Sequence, residues 1–107
     1  MSNLTAVNTD TFDSEVTNHN GLTLVDFWAS WCGPCRLLAP TLEKVQGERE
    51  DTVKIVKVNI EENPEIAQRF RVQNIPLMIL FKDGQMVDQL LGNQPKVKIE
   101  KMLDSHT

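Results

Sequence analysis

Two cysteines, Cys32 and Cys35, stand three positions apart in the stretch FWASWCGPCR, Phe27 to Arg36, and the chain has no others. A pair at this spacing can clip a metal, staple the chain, or open and close as a redox couple. The residues around it discriminate among the three.

The sequence predicts a helix from about Pro34 to Arg49. Cys35, Leu38, Leu42 and Val45 recur at helical spacing and share one face, so Cys35 falls on the buried stripe. Cys32 precedes the first turn, where unpaired N–H groups and the helix dipole favour negative charge. The two sulfurs are thus expected to differ: a partly exposed Cys32 that favours the thiolate, and a shielded Cys35 that favours the thiol. Stepwise disulfide exchange needs that pairing, because one sulfur attacks and the other resolves.

Pro34 suits the first helical turn, where its missing N–H costs little. Gly33 leaves room for another chain to approach the sulfurs. Pro40 lies inside the predicted helix and removes one backbone hydrogen bond, so a kink is expected between Leu37 and Pro40.

A zinc site takes about four ligands, from two such pairs or from added histidines. This chain has one pair, with His19 and His106 at a helix end and at the chain terminus, where solvation is the simpler expectation. No bound metal is expected, although a site shared between two copies stays open. A permanent bridge across two residues closes so small a loop that it restricts the unfolded chain little.

Strands and helices must place this stretch. LTAV, Leu4 to Val7, is a short strand candidate. The segment 8–18 reads as a helix, capped by Asn8, Thr9 or Asp10 and burying Phe12 and Val16 at i, i+4. The apolar run Gly21 to Ala29 fits a central strand covered on both faces. Thr52 to Ile60 is rich in β-branched residues and reads as a second buried strand. Strand, helix and strand at this spacing form a parallel crossover.

A short helix follows, with Asn63 as cap, Pro64 in the first turn, and Ile66, Ala67 and Phe70 on one face. PLMILFKDGQMVDQLL then reads as a hairpin, its tight turn at Asp83-Gly84. Gly92 breaks the strand, and QPKVKIEKMLDSH closes as a helix burying Ile99, Met102 and Leu103. The order β-α-β-α-β then α-β-β-α predicts an α/β fold: a mixed five-stranded sheet between two helical layers. Sheets of this class place their sites at the carboxyl ends of strands. Cys32 lies just past such an end.

With 107 residues, the chain is read as one domain, 1–107, able to bury roughly 60–70% of its unfolded surface without cross-links. A net charge of −4 argues against a nucleic-acid partner. The N-terminus lacks a signal-peptide pattern, and no apolar run approaches the roughly 18 residues of a membrane span. The expectation is a cytoplasmic, monomeric chain away from the membrane, where thiols are kept reduced.

Taken together, DFWASWCGPCR, VNIEENPEIAQRF, NIPLMILFKDG and Gly92, in this order and spacing, resemble the thioredoxin family along essentially the whole chain. The resemblance implies the thioredoxin fold and general protein-disulfide reduction, with a redox-active Cys32–Cys35 disulfide and no bound cofactor. Cys32 would attack a substrate disulfide and Cys35 would resolve it. An NADPH-dependent thioredoxin reductase would restore the dithiol. The implied partners are that reductase and disulfide-containing proteins such as ribonucleotide reductase, methionine sulfoxide reductase and peroxiredoxins.

Other positions carry over by matching. Asp26 interrupts the apolar run, so a buried carboxyl with a raised pKa is expected, assisting proton transfer at the resolving cysteine. Lys57 shares the face of Val53 and Ile55, which brings its ammonium toward Asp26. Pro76, after Ile75, matches a cis-proline that leaves neighbouring backbone free for an extended substrate. Trp31 is expected to be exposed to partners, with Trp28 packed beneath the site. Asn74 and Leu77 stand where the family commonly has glycine and threonine, and Asn93 makes the rim beside Gly92 more polar. These departures bear on partner choice. Two other readings remain: a thiol oxidase or isomerase, against which Gly33-Pro34 argues, and a binding module with incidental thiols, docking through Trp31, Ile75-Pro76 and Gly92.

Overall fold

The alternation read from the sequence appears as β1 (Thr5–Ala6), a single π-helical turn (Asp13–Thr17), β2 (Leu22–Trp28), α1 (Gly33–Arg49), β3 (Val53–Asn59), α2 (Pro64–Arg69), β4 (Leu77–Lys82), β5 (Gln85–Leu91) and α3 (Lys96–Asp104). This computed structural model describes residues 3–107. The strands form one sheet in the order β1-β3-β2-β4-β5. β1, β3 and β2 run parallel, whereas β4 is antiparallel to β2, and β5 to β4.

β2 is central, which is why its sequence is apolar on both faces. Leu22 and Leu24 face one way and pack with Leu38 and Leu42 of α1 and Ile99 and Leu103 of α3. Val25 and Phe27 face the other way, toward Phe12, Val16 and Ile66 of the π-turn and α2. The result is the expected three-layer α/β/α arrangement around a mixed five-stranded sheet. Four phenylalanines bind the second layer, with Phe70 5.2 Å from Phe12 and 5.5 Å from Phe81 between ring centres.

The hairpin turn is where expected. Asp83 and Gly84 both adopt positive φ, 51° and 81°. A β-carbon at Gly84 would collide with the carbonyl of Thr17, so glycine is required there for space as well as conformation. Asp83 is held from both sides: its N–H donates to the Gly21 carbonyl at 2.9 Å, and its carboxylate accepts the Gly21 N–H at 2.7 Å.

Four local expectations need correction. The helix expected over 8–18 shrinks to the π-turn. Asn8 and Thr11 satisfy each other first, each side-chain oxygen accepting the other's N–H at 3.0 and 3.1 Å, and this holds 8–11 as a turn. The wide turn that follows, closed by the Asn18 N–H on the Asp13 carbonyl at 2.8 Å, still buries Phe12 and Val16 fully. Asn63 does not cap α2 with its side chain. Its amide oxygen accepts the Thr9 N–H at 2.9 Å and its amide nitrogen donates to the Asn59 carbonyl at 3.0 Å, tying two loops together. His106 is not simply solvated, because its Nε2 lies 3.0 Å from the Asp88 carboxylate on β5. β1 is also shorter than the strand expected from Leu4 to Val7.

Candidate active site at the start of α1

Cys32 occupies the cap position of α1 with extended backbone, and its Sγ accepts the N–H of Cys35 at 3.2 Å. Its own N–H donates to Ala29 at 3.1 Å and its carbonyl accepts from Arg36 at 3.3 Å. These bonds continue β2 into α1 through one tight connection and aim the Cys35 N–H at the sulfur. Cys32 and Cys35 are joined as a disulfide, with α-carbons 5.3 Å apart. Pro34 stands in the first turn, where the sequence placed it. A β-carbon at Gly33 would meet nothing within 4 Å, so the surface above the sulfurs is open on that side. α1 includes Pro40, which is exposed.

The expected contrast in exposure between the two cysteines is small. Cys32 is 4% exposed and Cys35 0%. Ala29, Trp28, Ile60 and Ile75 pack around the pair. Helix phase gives the order of burial correctly but does not see this collar. Ala29 and Ile60 carry no reactive group, and in sequence an apolar residue at a strand end looks like any core position.

The second half of the chain supplies the opposite wall. Ile75–Pro76 is a cis peptide bond, and Pro76 is buried. The Pro76 carbonyl accepts the N–H of Gly92 at 2.8 Å, with Gly92 at φ 88°, a conformation that favours glycine. Trp31 is 63% exposed beside the pair, while Trp28 is half-buried. Asn74 and Asn93 are exposed on the rim and Leu77 is half-buried.

Asp26 lies on β2, the strand that leads into the pair. Strand alternation puts it on the same face of β2 as Leu22 and Leu24, the face that α1 covers. It is 2% exposed, and burial pushes its carboxyl up to about 7, against the opposing pull of the Lys57 ammonium. Lys57 is its direct partner in the β2–β3 register, as the shared face predicts. The Lys57 ammonium lies 5.8 Å from the centre of the Trp28 ring, and a cavity of about 180 Å3 lined by Trp28, Lys57, Asn59 and Asn63 opens beside them. Oδ1 of Asp26 and Nε1 of Trp28 are buried with no hydrogen-bond partner among the described residues. Among those residues, no cluster of three or more His, Cys, Asp or Glu is placed to hold a metal ion, and no helix is long and apolar enough to cross a membrane.

A disulfide at a helix mouth, open to one side, with a buried carboxyl that burial pushes up to about 7 on the strand leading into it, is built to exchange electrons with other disulfides. The family model described as Thioredoxin matches residues 3–105. The chain is 45% identical over 106 residues to Thioredoxin 1 of Synechococcus elongatus, covering 99% of each. It is 47% identical over 95 residues to a thioredoxin of Staphylococcus aureus, covering 89% of each. The match runs through every strand and helix that forms the site, and the chain belongs to the thioredoxin family of dithiol–disulfide reductases.

Proposed function

We propose that residues 1–107 act as a single-domain, general protein-disulfide reductase in which Cys32 is the nucleophile and Cys35 the resolving thiol. In the reduced chain, the Cys32 thiolate attacks one sulfur of a substrate disulfide. A mixed disulfide forms and the other substrate sulfur leaves as a thiolate. Asp26 accepts the proton of the Cys35 thiol. The Cys35 thiolate then attacks Sγ of Cys32, releasing the second substrate sulfur, which takes up a proton. Two electrons pass to the substrate and the Cys32–Cys35 disulfide remains.

Lys57 tunes Asp26, opposing the larger effect of burial on its proton affinity, and Gly33, Pro34, Trp28 and Pro40 shape the turn that carries the sulfurs. Trp31, Ile75, Pro76 and Gly92 receive the substrate backbone and side chains. Recycling falls to an NADPH-dependent thioredoxin reductase, and the setting is the cytoplasm, with the chain working as a monomer on protein disulfides. The observation that carries this reading is the cysteine pair at the mouth of α1, faced by Ile75-Pro76.

Insulin reduction coupled to a thioredoxin reductase tests it. The wild-type chain is expected to turn over and Cys32→Ser to be silent; equal rates would end the proposal. A redox titration separates a reductase from an oxidase, since a potential near the strong oxidants reverses the direction of transfer.

A further inference from the structure

Among the described residues, two non-glycine residues adopt positive φ, Asp83 at 51° and Arg71 at 55°. Asp83 has a local reason, since its carboxylate and N–H both bind Gly21. Arg71 has none of that kind. It ends α2 in a left-handed cap: its N–H donates to Gln68 at 3.1 Å, and the Val72 N–H donates to Ala67 at 2.9 Å. Glycine is the residue that such a cap favours, because a β-carbon is crowded there. A long cation at this position is strained for no gain in the cap itself. The cap accounts for the backbone conformation but not for an arginine in it, and that choice of residue points to a role for the side chain.

The surroundings indicate the role. The guanidinium of Arg69, two positions earlier, is held by Asp13 at 3.0 Å and lies over Phe12 and Phe70. Arg71 is exposed and has no ion pair among the described residues. It lines two neighbouring cavities of about 380 and 200 Å3 that share Arg71 and Gln73. The first reaches Ile60, which packs against the cysteine pair. The second reaches Leu77 and Leu91, which flank Pro76 and Gly92. A furrow with apolar ends and amide sides, carrying one uncommitted cation, therefore runs alongside the site.

We propose that Arg71 is a specificity-determining residue that docks an acidic side chain, Asp or Glu, of a protein substrate lying in this furrow. The inference rests on the reductase reading and adds a substrate class to it: disulfide proteins with an acidic residue flanking the cysteine that is attacked. An exposed charge pair of this kind changes specificity by about two- to fivefold and is weakened by salt.

The test uses the full chain and synthetic disulfide peptides in which Asp is moved position by position on either side of the cysteine, each with an Asn counterpart. kcat/KM is measured at low and high ionic strength. The expected result is an Asp-over-Asn preference of about two- to fivefold at one or more positions for wild type, fading in high salt. Arg71→Gly is expected to bring the ratio to one, and Arg71→Lys to keep part of it. Arg71→Gly is also expected to raise Tm by roughly 4 °C or more, through relief of the left-handed strain. The docking proposal falls if all peptides are reduced and wild type and Arg71→Gly give the same Asp-to-Asn ratio. If wild type reduces no peptide, the reductase reading falls and the docking proposal with it.

Discussion

Asp26 and Lys57 are direct partners across β2 and β3, on the sheet face that α1 covers. The ammonium pulls the carboxyl down and burial pushes it up, and burial wins, leaving the group at about 7 rather than its usual 3.8. A buried acid held neutral through most of the acidic range makes stability depend on pH in a defined direction. Between 3.8 and about 7 the unfolded chain releases a proton that the folded chain retains, so stability falls as pH rises through that window and then levels off. The full cost in the oxidised chain is about 4 kcal/mol. Asp26→Asn is expected to remove the slope and to be more stable than wild type at pH 8 by several kcal/mol, on the order of this figure. Urea unfolding at pH 5 and pH 8 measures both.

The reduced protein gives the kinetic counterpart. If Asp26 takes the proton from Cys35, Asp26→Asn is expected to slow resolution of a mixed disulfide while leaving its formation intact. Stopped-flow measurement of the two phases separates them. An unchanged resolving phase across pH 6–8 removes Asp26 from the proton path.

Gly84 and Gly33 are expected to respond in opposite ways to the same substitution. Gly84→Ala meets the Thr17 carbonyl in a left-handed conformation and is expected to lose roughly 2 kcal/mol or more of stability. Gly33→Ala enters open space in an ordinary helical turn and is expected to hold or gain up to about 0.5 kcal/mol. Its effect is expected in slower reduction of folded protein disulfides, because the added methyl stands where a substrate approaches. Denaturation midpoints and insulin turnover provide the comparison.

Phe12 is fully buried between Phe70 and Phe81, although it sits at the edge of a segment that is barely helical. Phe12→Ala is expected to cost about 3–5 kcal/mol, the range for emptying an aromatic core site. A shift in the guanidinium midpoint reports it. A cost below about 1 kcal/mol would mean that the second layer closes over the gap.

Trp31 is expected to act on binding and not on stability. It is 63% exposed, so Trp31→Ala changes stability by no more than ~0.5 kcal/mol. Its loss is expected to raise KM for protein substrates about fivefold. Steady-state kinetics with insulin, alongside thermal unfolding, distinguish the two effects.

What was legible in the chain was whatever local periodicity and short-range chemistry encode. Cys35 shares a helical stripe with Leu38, Leu42 and Val45, and all four are buried. Lys57 shares a strand face with Val53 and Ile55, and this placed it opposite Asp26. The Asp83-Gly84 turn announced itself through residue type. Features set by distant segments were not legible. Asn63 has the type and position of a cap, yet Thr9 claims its amide oxygen. Asn8 and Thr11 satisfy each other and so delay the helix that hydrophobic spacing suggests. The near-equal burial of Cys32 and Cys35 depends on Ile60 and Ile75, which reach the pair only after the sheet has formed.

The central strand pairs with β3 on one side and β4 on the other, and the two come at different points of the chain. β3 arrives soon after β2 in synthesis, whereas β4, which Ile75-Pro76 directly precedes, arrives later. As the chain leaves the ribosome, the sulfurs therefore emerge before the Ile75-Pro76 wall that faces them. A nascent chain halted before β4 has an α1 mouth without its opposite face and an unpaired edge on β2. Such a fragment has thiols open to stray disulfides and an edge prone to pair with other strands, so the pace of translation from β3 to β4 determines how long that hazard lasts.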